Sequence, residues 1–167
     1  MSKLILVTAD RDRGKTTALW NLYRQFHVED NNRIGGYISV LNKDNNKSRI
    51  VLKNLRSGEE MLLASCIEED WAGQEERCFK MGMRYTFFQD AFDNSYDSYK
   101  DALDCSHIFI DEAGALELKD KGFSPAIEYL KSNFKGTLII SVRELFLEDF
   151  LIIYSFDKGW TTQVFTV

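Results

Sequence analysis

Two short stretches hold the residues best able to do chemistry. The first is Gly14-Lys15-Thr16-Thr17, which follows the apolar run Leu4–Thr8 and a polar loop and reads LILVTADRDRGKTT over residues 4–17. The second is Asp111-Glu112, which ends the run His107-Ile108-Phe109-Ile110 about 95 residues further on. A phosphate-binding loop of the Walker A type has the form Gly, four residues, then Gly-Lys-Ser/Thr, set between a strand and a helix. Ala9 stands at the first glycine position, and Gly14, Lys15 and Thr16 fit the remainder.

Each residue of that loop has a physical reason to be there. Backbone N–H groups of the loop and of the first helical turn lack partners and can cradle phosphate oxygens. Gly14 lets the backbone come close, where a side chain would intrude. Lys15 carries a compact positive charge toward β- and γ-phosphates, and the Thr16 hydroxyl is a Mg²⁺ ligand by type. Thr17 falls where an α-phosphate would be held. Ala9 can replace glycine if its φ stays negative. Asp10, Arg11, Asp12 and Arg13 make the loop highly charged. Like charges ~4 Å apart repel by about 4 kcal/mol at an effective dielectric of 20, so the two carboxylates are expected to face outward or to pair with the arginines. Arg13 either faces solvent or reaches a terminal phosphate. Ala9 through Thr17 together form the candidate nucleotide cradle, for ATP or GTP.

A triphosphate site needs a metal-directing carboxylate, and hydrolysis needs a group that orients water. Asp111 suits the first role, so Thr16 and Asp111 are the candidate metal ligands. Glu112 suits the second, because adjacent strand residues point to opposite sides and a bend at Ala113-Gly114 would redirect it. Lys15 and Glu112 are the candidate catalytic residues. Glu117 reads either as a group behind the acidic pair or as a helix-side charge; a polar residue in the strand end Ser141-Val142-Arg143 reads either as a sensor of the γ-phosphate or as a strand-end hydroxyl; His107 reads as a structural histidine.

The elements that must position these groups follow from periodicity. Leu4–Thr8, Ser106–Asp111 and Thr137–Val142 are compact apolar runs of the kind buried on both faces of a parallel sheet. Leu19, Leu22, Tyr23 and Phe26 mark one face of a helix starting near Lys15. Phe123, Ile127, Leu130 and Phe134 mark another, with Ser124-Pro125 at its start. Gln89–Leu103 and Glu144–Tyr154 also read as helices, and Tyr85–Phe88 and Gln163–Val167 as short strands. Ile34–Val40 and Ser48–Leu55 read as a hairpin with a loop longer than the tightest kind. Strands alternating with helices predict an α/β sandwich around a mostly parallel central sheet, with the hairpin as an antiparallel insertion.

The chain has 167 residues and a net charge of −5, enough for one domain over residues 1–167. An acidic balance argues against nucleic acid and anionic membranes as partners. Cys66, Cys78 and Cys105 are odd in number and unclustered, so zinc binding is not written here. Free thiols, with no leader before the first strand and no run of ~18 apolar residues, predict a reducing cytoplasm.

Several stretches together resemble one family, the small P-loop nucleoside-triphosphatases of thermophiles and animals. The clearest is Ile110-Asp111-Glu112-Ala113-Gly114-Ala115-Leu116-Glu117-Leu118 followed by Phe123, and Gly35-Gly36-Tyr37-Ile38-Ser39 and Gly58-Glu59 add to it. The resemblance implies a RecA-like P-loop NTPase fold in three layers, Mg²⁺, and broad hydrolysis of nucleoside triphosphates. The departures are Ala9, the Asp/Arg run, and Val40-Leu41-Asn42-Lys43 after Ser39. Two further readings stay open: a kinase with an acceptor site near Tyr37, Arg49 or Arg84, and a non-hydrolysing nucleotide-binding module with a protein partner.

Overall fold

The computed structural model describes residues 1–10, 13–30 and 33–167. In chain order the strands are β1 (Ser2–Ala9), β2 (Ile34–Asp44), β3 (Lys47–Asn54), β4 (Glu60–Ser65), β5 (Cys78–Met81), β6 (Tyr85–Phe88), β7 (His107–Ala113), β8 (Thr137–Arg143) and β9 (Trp160–Thr166). The helices are α1 (Lys15–Asp30), α2 (Glu68–Trp71), α3 (Gln89–Lys100), α4 (Ser124–Asn133) and α5 (Leu147–Tyr154). Among the described residues the strands form one sheet in the order β5-β6-β4-β3-β2-β7-β8-β1-β9.

Half of that sheet is parallel. β1 lies between β8 and β9, and β7 lies between β2 and β8, all in the same direction. Leu4 through Ala9 are buried because helices cover both faces. α1 packs Leu19, Leu22, Tyr23 and Phe26 against Ile5, Val7, Phe109 and Ile139 on one face. α3, α4 and α5 cover the other, where Phe92, Tyr99, Phe123, Ile127, Leu130 and Phe150 meet Leu4, Leu6, Ile108, Ile110 and Ile140. The result is the expected three-layer α/β sandwich.

β2 starts beside β7 and then leaves it to found an antiparallel wing of β3, β4, β6 and β5. The hairpin is thus the root of this wing. Its connection is also shorter than the sequence suggests: Asp44 pairs with Lys47, leaving only Asn45-Asn46 between strands. Asn45 takes a φ of 52°, a left-handed value that asparagine tolerates, so pairing runs to the tip. β4 and β5 had no clear strand pattern, because Met61-Leu62-Leu63-Ala64 does not alternate and Cys78–Met81 is only four residues long.

Gly36 allows β2 to run beside β7. Its φ is 89°, and a Cβ there would lie 2.1 Å from the Phe109 carbonyl oxygen. Parallel strands bring their carboxyl ends to one edge, so the ends of β1, β7 and β8 and the middle of β2 share a rim. Among the described residues, no helix is long and apolar enough to cross a membrane.

Candidate active site

The rim is built first by the turn after β1. Ala9 closes the strand, buried and without a positive φ, as the alanine substitution requires. α1 begins at Lys15, and the Ala18 N–H donates to the Gly14 carbonyl at 2.9 Å. Gly14 has a φ of 93°, while a Cβ there would meet only Val167 Cγ1, at 3.9 Å. Backbone conformation, more than crowding, explains the glycine. Asp10, Arg13 and Thr17 are exposed; Arg11 and Asp12 lie outside the described residues. Lys15 is 5% exposed, and its Nζ donates to the carbonyls of Asp10 at 3.2 Å and Ala9 at 3.5 Å. The ammonium is therefore folded back over the start of its own loop.

The acidic pair comes from β7. Pairing with β8 runs in register to Ile110–Ile140 and resumes at Ala113–Val142, so Asp111 and Glu112 together oppose the single residue Ser141. Such a bulge re-aims side chains. The bend lies at the pair itself, one step before the expected Ala113-Gly114, and the Asp111–Glu112 peptide is cis.

Asp111 is 1% exposed and receives four hydrogen bonds. Its Oδ2 accepts from Thr16 Oγ1 at 3.1 Å, the Ser39 N–H at 3.1 Å and Ser39 Oγ at 2.7 Å; its Oδ1 accepts from Ser141 Oγ at 2.6 Å. Burial pushes its carboxyl above the ordinary value; the Ser141 and Ser39 hydrogen bonds oppose that and the nearby Glu112 adds to it. Glu112 turns the other way, and its Oε1 accepts from Arg143 Nε at 2.6 Å.

Of the two readings of Glu117, the helix-side charge fails. The residue is 2% exposed, with Oε2 accepting the Gly114 N–H at 2.7 Å and Oε1 the Phe123 N–H at 2.9 Å. Burial pushes its carboxyl up to about 7, against the pull of those two N–H groups. It ties down the loop that leaves the acidic pair. A chamber of about 190 Å³ opens here, with Ser39, Asp111, Glu112 and Arg143 at its polar end and Leu63, Phe87, Phe92 and Phe123 among its apolar walls.

Ser39 and Arg143 join the site without a role assigned to either of them by periodicity or spacing. Ser39 lies mid-strand, and the only signal there was its place in the Gly35-Gly36-Tyr37-Ile38-Ser39 stretch of the resemblance. Arg143 follows the third apolar run, and its place at a parallel strand's carboxyl end was the available signal. Tyr37, Arg49 and Arg84, the acceptor-site candidates above, are not among the residues that line this chamber. Tyr37 is buried and donates to Ser98 Oγ, Arg49 is paired with Asp70, and Arg84 donates to Ser48 Oγ. His107 stacks on Phe26 at 4.1 Å, as a structural histidine would.

The side-chain groups around Asp111 are the hydroxyls of Thr16, Ser39 and Ser141, oxygen ligands by type, which suits a hard cation. Among the described residues, no three His, Cys, Asp or Glu side chains converge. One carboxylate and hydroxyls suit Mg²⁺, which keeps waters and takes phosphate oxygens as further ligands. The residues present therefore fit such an ion, and Thr16 and Asp111 are the ones that would hold it.

A Gly-Lys-Thr turn between a buried parallel strand and its helix, faced by a carboxylate from a strand one removed in the sheet, defines a nucleotide-binding P-loop α/β protein. Residues 4–157 match the family model described as NTPase, and the chain belongs to that family. Two solved structures share the fold. THEP1 from the hyperthermophile Aquifex aeolicus is 16% identical with a TM-score of 0.61, over 98% of this chain and 90% of that one. A human cancer-related nucleoside triphosphatase is 19% identical with a TM-score of 0.68, over 99% of this chain and 89% of that one. No curated protein sequence matches.

Proposed function

We propose that this protein is a Mg²⁺-dependent nucleoside triphosphatase that splits the terminal phosphate from ATP, GTP or a related nucleotide. The observation that carries the reading is the 3.1 Å contact between Thr16 at the start of α1 and Asp111 at the end of β7. It joins a phosphate turn and an acidic pair that are 95 residues apart in the chain. The family match and the two structural neighbours point the same way.

In this reading the N–H groups of Gly14, Lys15 and Thr16 hold β- and γ-phosphate oxygens. Lys15 exchanges its two loop carbonyls for those oxygens. Bound magnesium would neutralise charge on the phosphates, held by Thr16 and Asp111. Glu112 orients a water, whose oxygen bonds to the terminal phosphorus. The bridging P–O bond breaks with its electron pair on the nucleoside diphosphate, and the water's proton leaves toward Glu112. Products are the diphosphate and inorganic phosphate.

Phosphate release from a nucleotide panel, with and without Mg²⁺, tests the proposal. Lys15→Ala is expected to abolish both binding and turnover. Glu112→Gln is expected to bind nucleotide and release phosphate at least about 100-fold more slowly. Wild-type turnover that survives Glu112→Gln removes the assigned role of that residue. The chamber beside Glu112 favours one second reading, transfer to a small acceptor in place of water. Uptake of labelled phosphate by an acceptor panel separates the two.

A further inference from the structure

Arg143 is the last residue of β8, which lies between the strand that feeds the phosphate loop and the strand that carries the acidic pair. Its register partner is Ala9, the last residue of β1. On the other side its Nε donates to Glu112 Oε1 at 2.6 Å. One side chain thus stands between the loop's first residue and the carboxylate assigned to water.

The guanidinium is only partly used by that contact. It has five N–H donors in a planar fork, and among the described residues its two η-nitrogens donate to no acceptor. The Arg143 and Glu112 side chains are 41% and 32% exposed, and both face the chamber that Ser39 and Asp111 also line. An arginine with one edge fixed and the other open can grip two oxygens of a phosphate at once. Among the described residues Lys15 is the one buried cation of the turn, while a phosphoryl in transit spreads its charge over three oxygens. Arg13, the described alternative, is exposed on the loop.

We propose that Arg143 is a catalytic residue that bridges nucleotide and base: its η-nitrogens take the terminal phosphate, while Nε holds Glu112 beside it. The inference rests on the triphosphatase reading and adds a specificity to it. A nucleoside triphosphate reaches Arg143, whereas a diphosphate held in the same turn leaves the guanidinium with Glu112 alone. The Nε contact exists without nucleotide, so Glu112 is aligned before the substrate arrives.

The test compares wild type with Arg143→Ala, Arg143→Lys and Arg143→Gln, each with a thermal midpoint as folding control. Two quantities are read with Mg²⁺: kcat for ATP, and the affinity ratio of a non-hydrolysable ATP analogue to ADP. Arg143→Ala is expected to lower kcat by about 10²–10³-fold. It is expected to lower the triphosphate preference by about ten- to hundredfold while leaving ADP affinity unchanged. Added guanidinium ion should restore part of the turnover. Arg143→Lys keeps the charge without the fork and should remain slow. Arg143→Gln keeps a donor for Glu112 without the η pair, and should lose the triphosphate preference as fully as alanine does.

An unchanged affinity ratio in Arg143→Ala and Arg143→Gln, with kcat within about threefold of wild type, overturns the proposal. A lowered kcat with an unchanged ratio and no guanidinium rescue also overturns it, leaving Arg143 a structural partner of Glu112. Absence of turnover by wild type on every nucleotide would count against the triphosphatase reading instead. The affinity ratio still decides whether Arg143 touches the terminal phosphate.

Discussion

Glu117→Gln gives a pH-dependent change of stability whose size follows from the structure. Glu117 is 2% exposed, and burial pushes its carboxyl up to about 7 from an ordinary 4.5. At 1.36 kcal/mol per pH unit, that gap corresponds to about 3 kcal/mol. The folded state holds the proton more tightly than the unfolded chain. The group's contribution is therefore fully present below about pH 4.5 and is lost as pH rises through about 7. Glutamine stays neutral across the range. Its carbonyl can accept one of the N–H groups of Gly114 and Phe123, and its amide cannot accept the other. That loss is about 1 kcal/mol and does not vary with pH. Urea unfolding of both proteins at steps from about pH 4.5 to 8 measures the effect. Wild type should lose about 3 kcal/mol relative to the variant across that window, whatever the other carboxylates contribute in common. A stability difference constant to within about 0.5 kcal/mol would show that Glu117 is not a buried acid with a raised titration point.

Other consequences follow from single contacts. Gly36→Ala places a Cβ 2.1 Å from the Phe109 carbonyl at a positive φ, and should cost about 3 kcal/mol or more, read from the urea midpoint. Asp111→Asn removes a buried charge while the hydroxyls of Ser39, Thr16 and Ser141 remain to pair with the amide. The variant should keep or raise its thermal midpoint yet lose Mg²⁺-dependent turnover, and a large fall in the midpoint would contradict that. Lys15→Ala should show no thermal stabilisation by ATP at a concentration that adds about 2.7 kcal/mol to wild type, namely 100 times the wild-type Kd.

Local patterns made much of this protein legible. β1, β7 and β8 are apolar runs because strands covered on both faces must be, and no tertiary knowledge is needed to see that. The helical face of Leu19, Leu22, Tyr23 and Phe26 meets Ile5, Val7, Phe109 and Ile139 as its spacing implied. The Gly14-Lys15-Thr16 turn and Asp111-Glu112 were readable because each motif is contiguous. The bulge that turns Asp111 and Glu112 apart was not, since it depends on pairing with Ser141 in another strand. Glu117 stood between a supporting group and a helix-side charge because nothing local shows that Gly114 and Phe123 will close over it.

The amino-acid order by itself determined the layers of the sandwich, the phosphate turn, and which carboxylates stand at a strand's end. These depend on periodicity and on neighbours a few residues away. Only the tertiary structure decided which groups meet at the rim: Ser39, Ser141 and Thr16 on Asp111, and Arg143 on Glu112. Those partners come from three elements besides β7, and their contacts are fixed by strand order and register, which no short window of sequence encodes.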